Sequence, residues 1–218
     1  MPKTVGIVVF PGTNCEFDVA EAVEKVGGKY KFIFHSQTDL TDVDSIVIAG
    51  GFAHGDYLRP GAIARFSPIM EAVEEFAQSQ KTVVGICNGF QVLTEAGLLP
   101  GALQKNAGLT FLCQSAVLNV TSTNTPFTSK LKLNSKVKLY INHFSGNYTC
   151  NDQTLNELKK NDRIILTYEN NPNGSTENIA GICNENRNII GLMPHPERAI
   201  SDFLDSRDGL NFFNSLIQ

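Results

Sequence analysis

The feature that most constrains this chain's fold is a texture repeated over its first hundred residues. Runs rich in β-branched residues, "TVGIVVF", "YKFIF", "SIVIA" and "TVVGIC", end at or near glycine or proline and alternate with segments of helical periodicity. Strands joined through helices pair in parallel, because a parallel partner needs a long crossover that a helix supplies. This half therefore predicts an α/β fold: a parallel sheet with helices on both faces and a site in the loops at the strands' C-terminal ends. In "CEFDVAEAVEKVGG", Phe17, Ala20, Val23 and Val26 are expected on one helical face, with Gly27 as C-cap. "SPIMEAVEEFAQSQ" starts from a Ser67 N-cap with Pro68 at the first helical position.

From about Thr110 the pattern changes to "AVLNVTS", "KVKLYINHF", "RIILTYE", "NIAGICN" and "IIGLMPH", with one clear helix, "DQTLNELKKN". These strands complete and extend the sheet, so a mainly parallel centre with an antiparallel extension is expected. With 218 residues, 42% of them hydrophobic, the chain can bury one sizeable core, and no linker or repeat divides it, so residues 1–218 are read as one domain. A net charge of -4 gives no electrostatic footprint for nucleic acid. The opening "MPKTVGIVVFPGTN" lacks a cleavage site and the length of a membrane span, so it reads as a first strand in a soluble cytoplasmic protein without membrane attachment.

The five cysteines, Cys15, Cys87, Cys113, Cys150 and Cys183, show neither C-x-x-C nor metal-ligand spacing, so no metal is expected. Cys87 differs from the rest. It follows a strand and stands between Gly85 and Gly89 at G-x-C-x-G spacing, which mimics a nucleophile elbow. A strand-to-helix turn there would project the sulfur, lower its pKa at the helix N-terminus and aim the Asn88 N–H at a developing oxyanion. The competing reading is a packing cysteine between packing glycines, and the other four cysteines are read in that way.

A thiolate attacking a carbonyl needs a proton shuttle. His35 reads as structural, while His54 in "GGFAHGDY" and His143 in "INHFSGNY" lie in loops that could approach a substrate. His195 sits in "MPHPER" between two prolines, with Glu197 two residues on, so in an extended segment both side chains can share a face. Cys87, His195 and Glu197 together suit a triad in which the carboxylate fixes the imidazole. The strand ending at Ala49 meets Gly50 and Gly51, and Gly51 is the candidate second oxyanion donor. No phosphate-binding G-x-x-x-x-G-K-[ST] motif occurs.

These residues resemble the class I (triad) glutamine amidotransferases. Gly85-Ile86-Cys87-Asn88-Gly89-Phe90-Gln91 matches their G-x-C-x-G-x-Q, and His195-Pro196-Glu197 their H-x-E. Blocks from "FPGTNCE" to "GLMPHPERA" are similar to the glutaminase subunits of phosphoribosylformylglycinamidine synthases, across essentially the whole chain. The resemblance implies a flavodoxin-like sandwich, Cys87 as nucleophile, His195 as acid/base, Glu197 as its orienter, oxyanion donors at Gly51 and Asn88, and a Gln91 contact to L-glutamine. It further implies a large synthetase subunit and a small accessory subunit as partners, with ATP and Mg on the synthetase and no cofactor on this chain. "INHFSGNY" departs from the family pattern at Phe144 and Ser145, where relatives commonly place glycine and an acidic residue. Two other readings stay open at this level: a glutaminase feeding a different acceptor, and a thiol sensor on a related fold.

Overall fold

The computed structural model describes residues 2–218. In chain order the elements are β1 (Thr4–Val9), α1 (Glu16–Lys25), β2 (Lys29–Phe34), β3 (Ser45–Ile48), α2 (Pro68–Gln78), β4 (Thr82–Ile86), α3 (Asn88–Glu95), β5 (Ala102–Gln104), β6 (Leu112–Val120) and β7 (Lys136–His143). They continue with β8 (Asn147–Thr149), α4 (Asp152–Lys160), β9 (Ile164–Tyr168), β10 (Ile179–Cys183), β11 (Ile189–Leu192) and α5 (Leu210–Leu216).

The apolar runs pair into a nine-stranded sheet in the order β2-β1-β3-β4-β11-β10-β9-β6-β7. Neighbours from β2 to β11 are parallel, and those from β11 to β7 antiparallel. This is the expected α/β architecture. Burial explains the sequence texture: β3, β10 and β11 are buried at every position and read as unbroken apolar runs, because layers cover both faces. In β7 buried and part-exposed positions alternate, as a sheet with one covered face requires. The chain's last strand, β11, does not extend the edge but inserts beside β4, with Leu192 opposite Ile86.

Local expectations were met unevenly. Gly27 ends α1 at φ +83 and donates to the Glu24 carbonyl. Phe17, expected on the apolar face of α1, is instead 69% exposed; Val19, Ala20, Ala22 and Val23 form the buried face. Its ring lies over the edge strand β2, packing edge-on against Phe32 at 5.2 Å between centroids. Ser67 and Pro68 start α2 as expected, but the Ser67 hydroxyl makes no capping bond and sits 3.3 Å from His54 Nε2. The second half holds two α-helices, not one: α5 buries Phe212 and Phe213 against Phe127. The two-stranded sheet β5-β8 was also not anticipated, since each strand has only three residues.

Candidate active site

Cys87 lies between β4 and α3 at φ 50, ψ -103, a conformation outside the allowed regions for a residue with a Cβ. Backbone strain of this kind persists only where surrounding structure fixes it. Here the Cys87 N–H donates to the Leu192 carbonyl at 2.8 Å, and α3 is pressed onto the sheet. A Cβ on Gly89 would stand 2.0 Å from the Ile48 oxygen, and one on Gly85 2.6 Å from the Gly89 backbone. The two glycines are thus required by close helix–strand approach. Cys87 is 5% exposed, and its sulfur reaches the Asn142 carbonyl at 3.7 Å, near the limit of a sulfur hydrogen bond.

β11 carries the chain to His195, whose N–H donates to the Tyr140 carbonyl at 2.8 Å. His195 Nδ1 donates to Glu197 Oε1 at 2.6 Å, and both residues are 1% exposed; the two meet across a 3₁₀ turn, Pro196–Arg198, and not along the extended segment expected. A bond from Nδ1 to a carboxylate fixes the ring's orientation and leaves Nε2 for chemistry; this Nε2 is buried without a partner among the described residues. Burial alone would lower the His195 pKa. The Glu197 carboxylate, then Cys87 and Cys15, outweigh it, so the pKa stands well above the ordinary histidine value. Gly50 lets these groups meet: a Cβ there would lie 2.9 Å from His195 Cε1, 3.2 Å from Cys15 Sγ and 3.5 Å from Cys87 Cβ.

Cys87 opens on a cavity of about 760 Å³ whose wall includes Gly51, Asp56, Gln91, Lys105, His143 and Ser145. His195 and Glu197 stand behind the wall. Asn88 begins α3, so its N–H has no intrahelical acceptor, and the Gly51 N–H (φ +148) has no hydrogen-bond partner among the described residues either. The Asn88 side chain ties the site together, accepting from the Ala53 N–H at 2.9 Å and donating to Asp56 Oδ1 at 3.1 Å and Gln91 Oε1 at 2.8 Å. Gln91 lines the cavity with its amide engaged at both ends, Nε2 donating to the Ser145 carbonyl at 2.7 Å.

The departure at Phe144 and Ser145 falls in the loop this bond reaches. Both residues serve through backbone carbonyls, Phe144 accepting from the Asn106 N–H at 2.8 Å, and both line the cavity wall. Of the loop histidines, His143 reaches the cavity wall, and its pKa is pushed down to about 4 by burial and then by His195. His54 does not; it packs on Phe10 and His35. Two participants escaped the sequence reading. Cys15, read there as packing, has its sulfur within 4.8 Å of ligand-capable atoms of His195 and Glu197 and accepts from Arg198 Nη2 at 3.2 Å. Asp56 sits at φ 52 in the cavity wall. Their signal was positional: both follow the C-terminal end of a parallel strand, β1 or β3.

The chain is similar to known proteins in both sequence and fold. Residues 2–208 match the CobB/CobQ-like glutamine amidotransferase domain. The chain is 51% identical over 222 residues to phosphoribosylformylglycinamidine synthase subunit PurQ of Koribacter versatilis, covering 97% of this chain and 96% of that one. It is 54% identical over 215 residues to the PurQ subunit of Prochlorococcus marinus subsp. pastoris, covering 98% and 97%. A chain of the solved PurLQS structure from Thermotoga maritima superposes with a TM-score of 0.93 at 38% identity, covering 99% of this chain and 98% of that one. By sequence and by fold, the chain belongs to the CobB/CobQ-like glutamine amidotransferase family, among the phosphoribosylformylglycinamidine synthase PurQ subunits.

Proposed function

We propose that this chain hydrolyses L-glutamine to glutamate and ammonia, and supplies the ammonia to a synthetase subunit that converts formylglycinamide ribonucleotide to the amidine in purine biosynthesis. The observation that carries the chemistry is Cys87 at a strained strand-to-helix turn, open to a cavity, with the buried His195–Glu197 pair behind it. The kinship to PurQ subunits over nearly the whole length supports the acceptor.

Cys87 as thiolate attacks the carboxamide carbon, and the oxyanion forms between the Gly51 and Asn88 N–H groups. Each donor contributes about 3 kcal/mol to the transition state, the scale of a deleted oxyanion donor. His195, held as imidazolium by Glu197, gives its proton to the leaving nitrogen. Ammonia departs, the acyl group remains on sulfur, and His195 then takes a proton from water that hydrolyses the thioester. Gln91 holds the elbow to the Ser145 loop and so shapes the wall against which glutamine rests.

Free ammonia is mostly ammonium at neutral pH and is diluted by solvent, so the acceptor site must be coupled physically to this one. The partners are a large synthetase subunit, which binds ATP with Mg, and a small accessory subunit, in the cytoplasm. The test is glutamate release from glutamine by the purified chain, alone and with its synthetase subunits, ATP and formylglycinamide ribonucleotide. Strong stimulation by the mixture is the expected result; no turnover with a competent partner set would overturn the reading.

A further inference from the structure

The cavity beside Cys87 holds three side chains with formal charge, Asp56, Arg59 and Lys105, and they are not equivalent. Arg59 is neutralised by a two-pronged bond to Glu95, at 2.6 and 2.7 Å. Asp56 and Lys105 form no ion pair among the described residues. His143, in the same wall, is held neutral by burial and by the nearby His195. The wall thus offers one anion and one cation outside any ion pair among the described residues, the Lys105 ammonium standing 5.9 Å from the Phe144 ring centroid, around a space of about 760 Å³, within the range of small-ligand sites. Asp56 is also placed deliberately: it sits at φ 52, in the left-handed region, with Oδ1 anchored to Asn88, the residue next to the nucleophile.

A half-buried carboxylate with no counter-charge is costly unless a ligand supplies one. Resting on the glutaminase reading above, we propose that Asp56 and Lys105 bind the zwitterionic head of the substrate: the Asp56 carboxylate receives the α-ammonium and the Lys105 ammonium the α-carboxylate. The two charges fix the direction in which the amide tail extends to Cys87, and so select an α-amino acid over a simple amide. Backbone donors alone would not read the ammonium, since an N–H repels it. Asn88 links Asp56 to the elbow, so head recognition and nucleophile share one hydrogen-bonded frame.

Two thiol reagents of different shape separate head recognition from nucleophile reactivity. 6-Diazo-5-oxonorleucine carries the same zwitterionic head as glutamine, whereas iodoacetamide carries none. Both are applied to the chain assembled with its synthetase subunits, and modification of Cys87 is followed by peptide mass spectrometry. Asp56→Asn and, separately, Lys105→Met are expected to slow modification by the diazoketone about 10-fold or more, the scale of a lost charge-assisted hydrogen bond. Iodoacetamide modification of Cys87 should stay unchanged in both. Lys105 is exposed, so its variant reports even if the Asp56 variant folds poorly. Diazoketone rates equal to wild type in either folded variant would overturn the assignment while leaving the glutaminase reading intact. A wild-type Cys87 that resists the diazoketone would remove the glutaminase reading, and this assignment with it.

Discussion

Burying the Asp56 carboxylate costs stability that a neutral side chain would keep. Burial pushes its pKa up to about 6, opposed in part by the hydrogen bond from Asn88. Because the folded pKa lies above the unfolded one, the native state binds the proton more tightly, and stability is lost as pH rises from about 4 through about 6. Asp56→Asn escapes that loss. At pH 7.5 the variant is expected to be more stable by about 1 kcal/mol, a figure discounted for the solvent that still reaches this half-buried group, and the gain should vanish near pH 4. Urea denaturation at the two pH values checks this; an equal gain at both would show that ionisation is not the cause. Such a cost retained at a cavity wall is what a trade of stability for recognition looks like.

Among elements, the β4–α3 elbow is the one whose sequence signature and physical requirement coincide. Gly89 is where α3 touches β3, and a methyl group 2.0 Å from the Ile48 carbonyl oxygen would meet backbone that has little freedom to move. Gly89→Ala is therefore expected to destabilise by about 3 kcal/mol or more, at the upper end of overpacking costs. Gly97→Ala is the contrasting case, since nothing lies within 4 Å of its added Cβ and only its φ of +74 opposes the change. That variant should lose about 1 kcal/mol, the cost of the left-handed region to a residue with a Cβ. Chemical denaturation midpoints of the two would separate crowding from backbone strain.

For the whole molecule, the consequence of the proposed chemistry is a division of labour. On that proposal the thiol steps belong to this chain and the ATP-dependent steps to the synthetase, with ammonia as the reactant passed between them. Cys87→Ala in the assembled complex is expected to abolish synthesis from glutamine and to leave synthesis from added ammonium chloride near the wild-type rate. Product formation from each nitrogen source measures this; loss of both at unchanged assembly would mean that Cys87 is not confined to the glutamine step. The cavity wall also carries exposed apolar side chains from the same loops, Phe52, Leu58, Leu109 and Phe144.

Local chemistry made much of this protein legible in its sequence. The β-branched runs, the helix from Pro68, the glycine-flanked Cys87 and the His195-Pro196-Glu197 segment each depend on residues within a turn or a strand of one another; the first three stand as the pattern put them, and the last joins its side chains through a 3₁₀ turn in place of an extended stretch. What pairs with what was decided by the tertiary structure. Periodicity along a chain carries no record of which distant strand lies alongside, because that choice rests on burial shared by the whole sheet. Insertion of β11 beside β4, with Leu192 opposite Ile86, sets His195 behind Cys87. The same packing folds the loop after β1 over Gly50, bringing Cys15 to His195 and Glu197, and leaves Asp56 in the wall beside Asn88. A single cysteine or aspartate has no spacing to betray it, so its place at the site exists only once the sheet has closed around it.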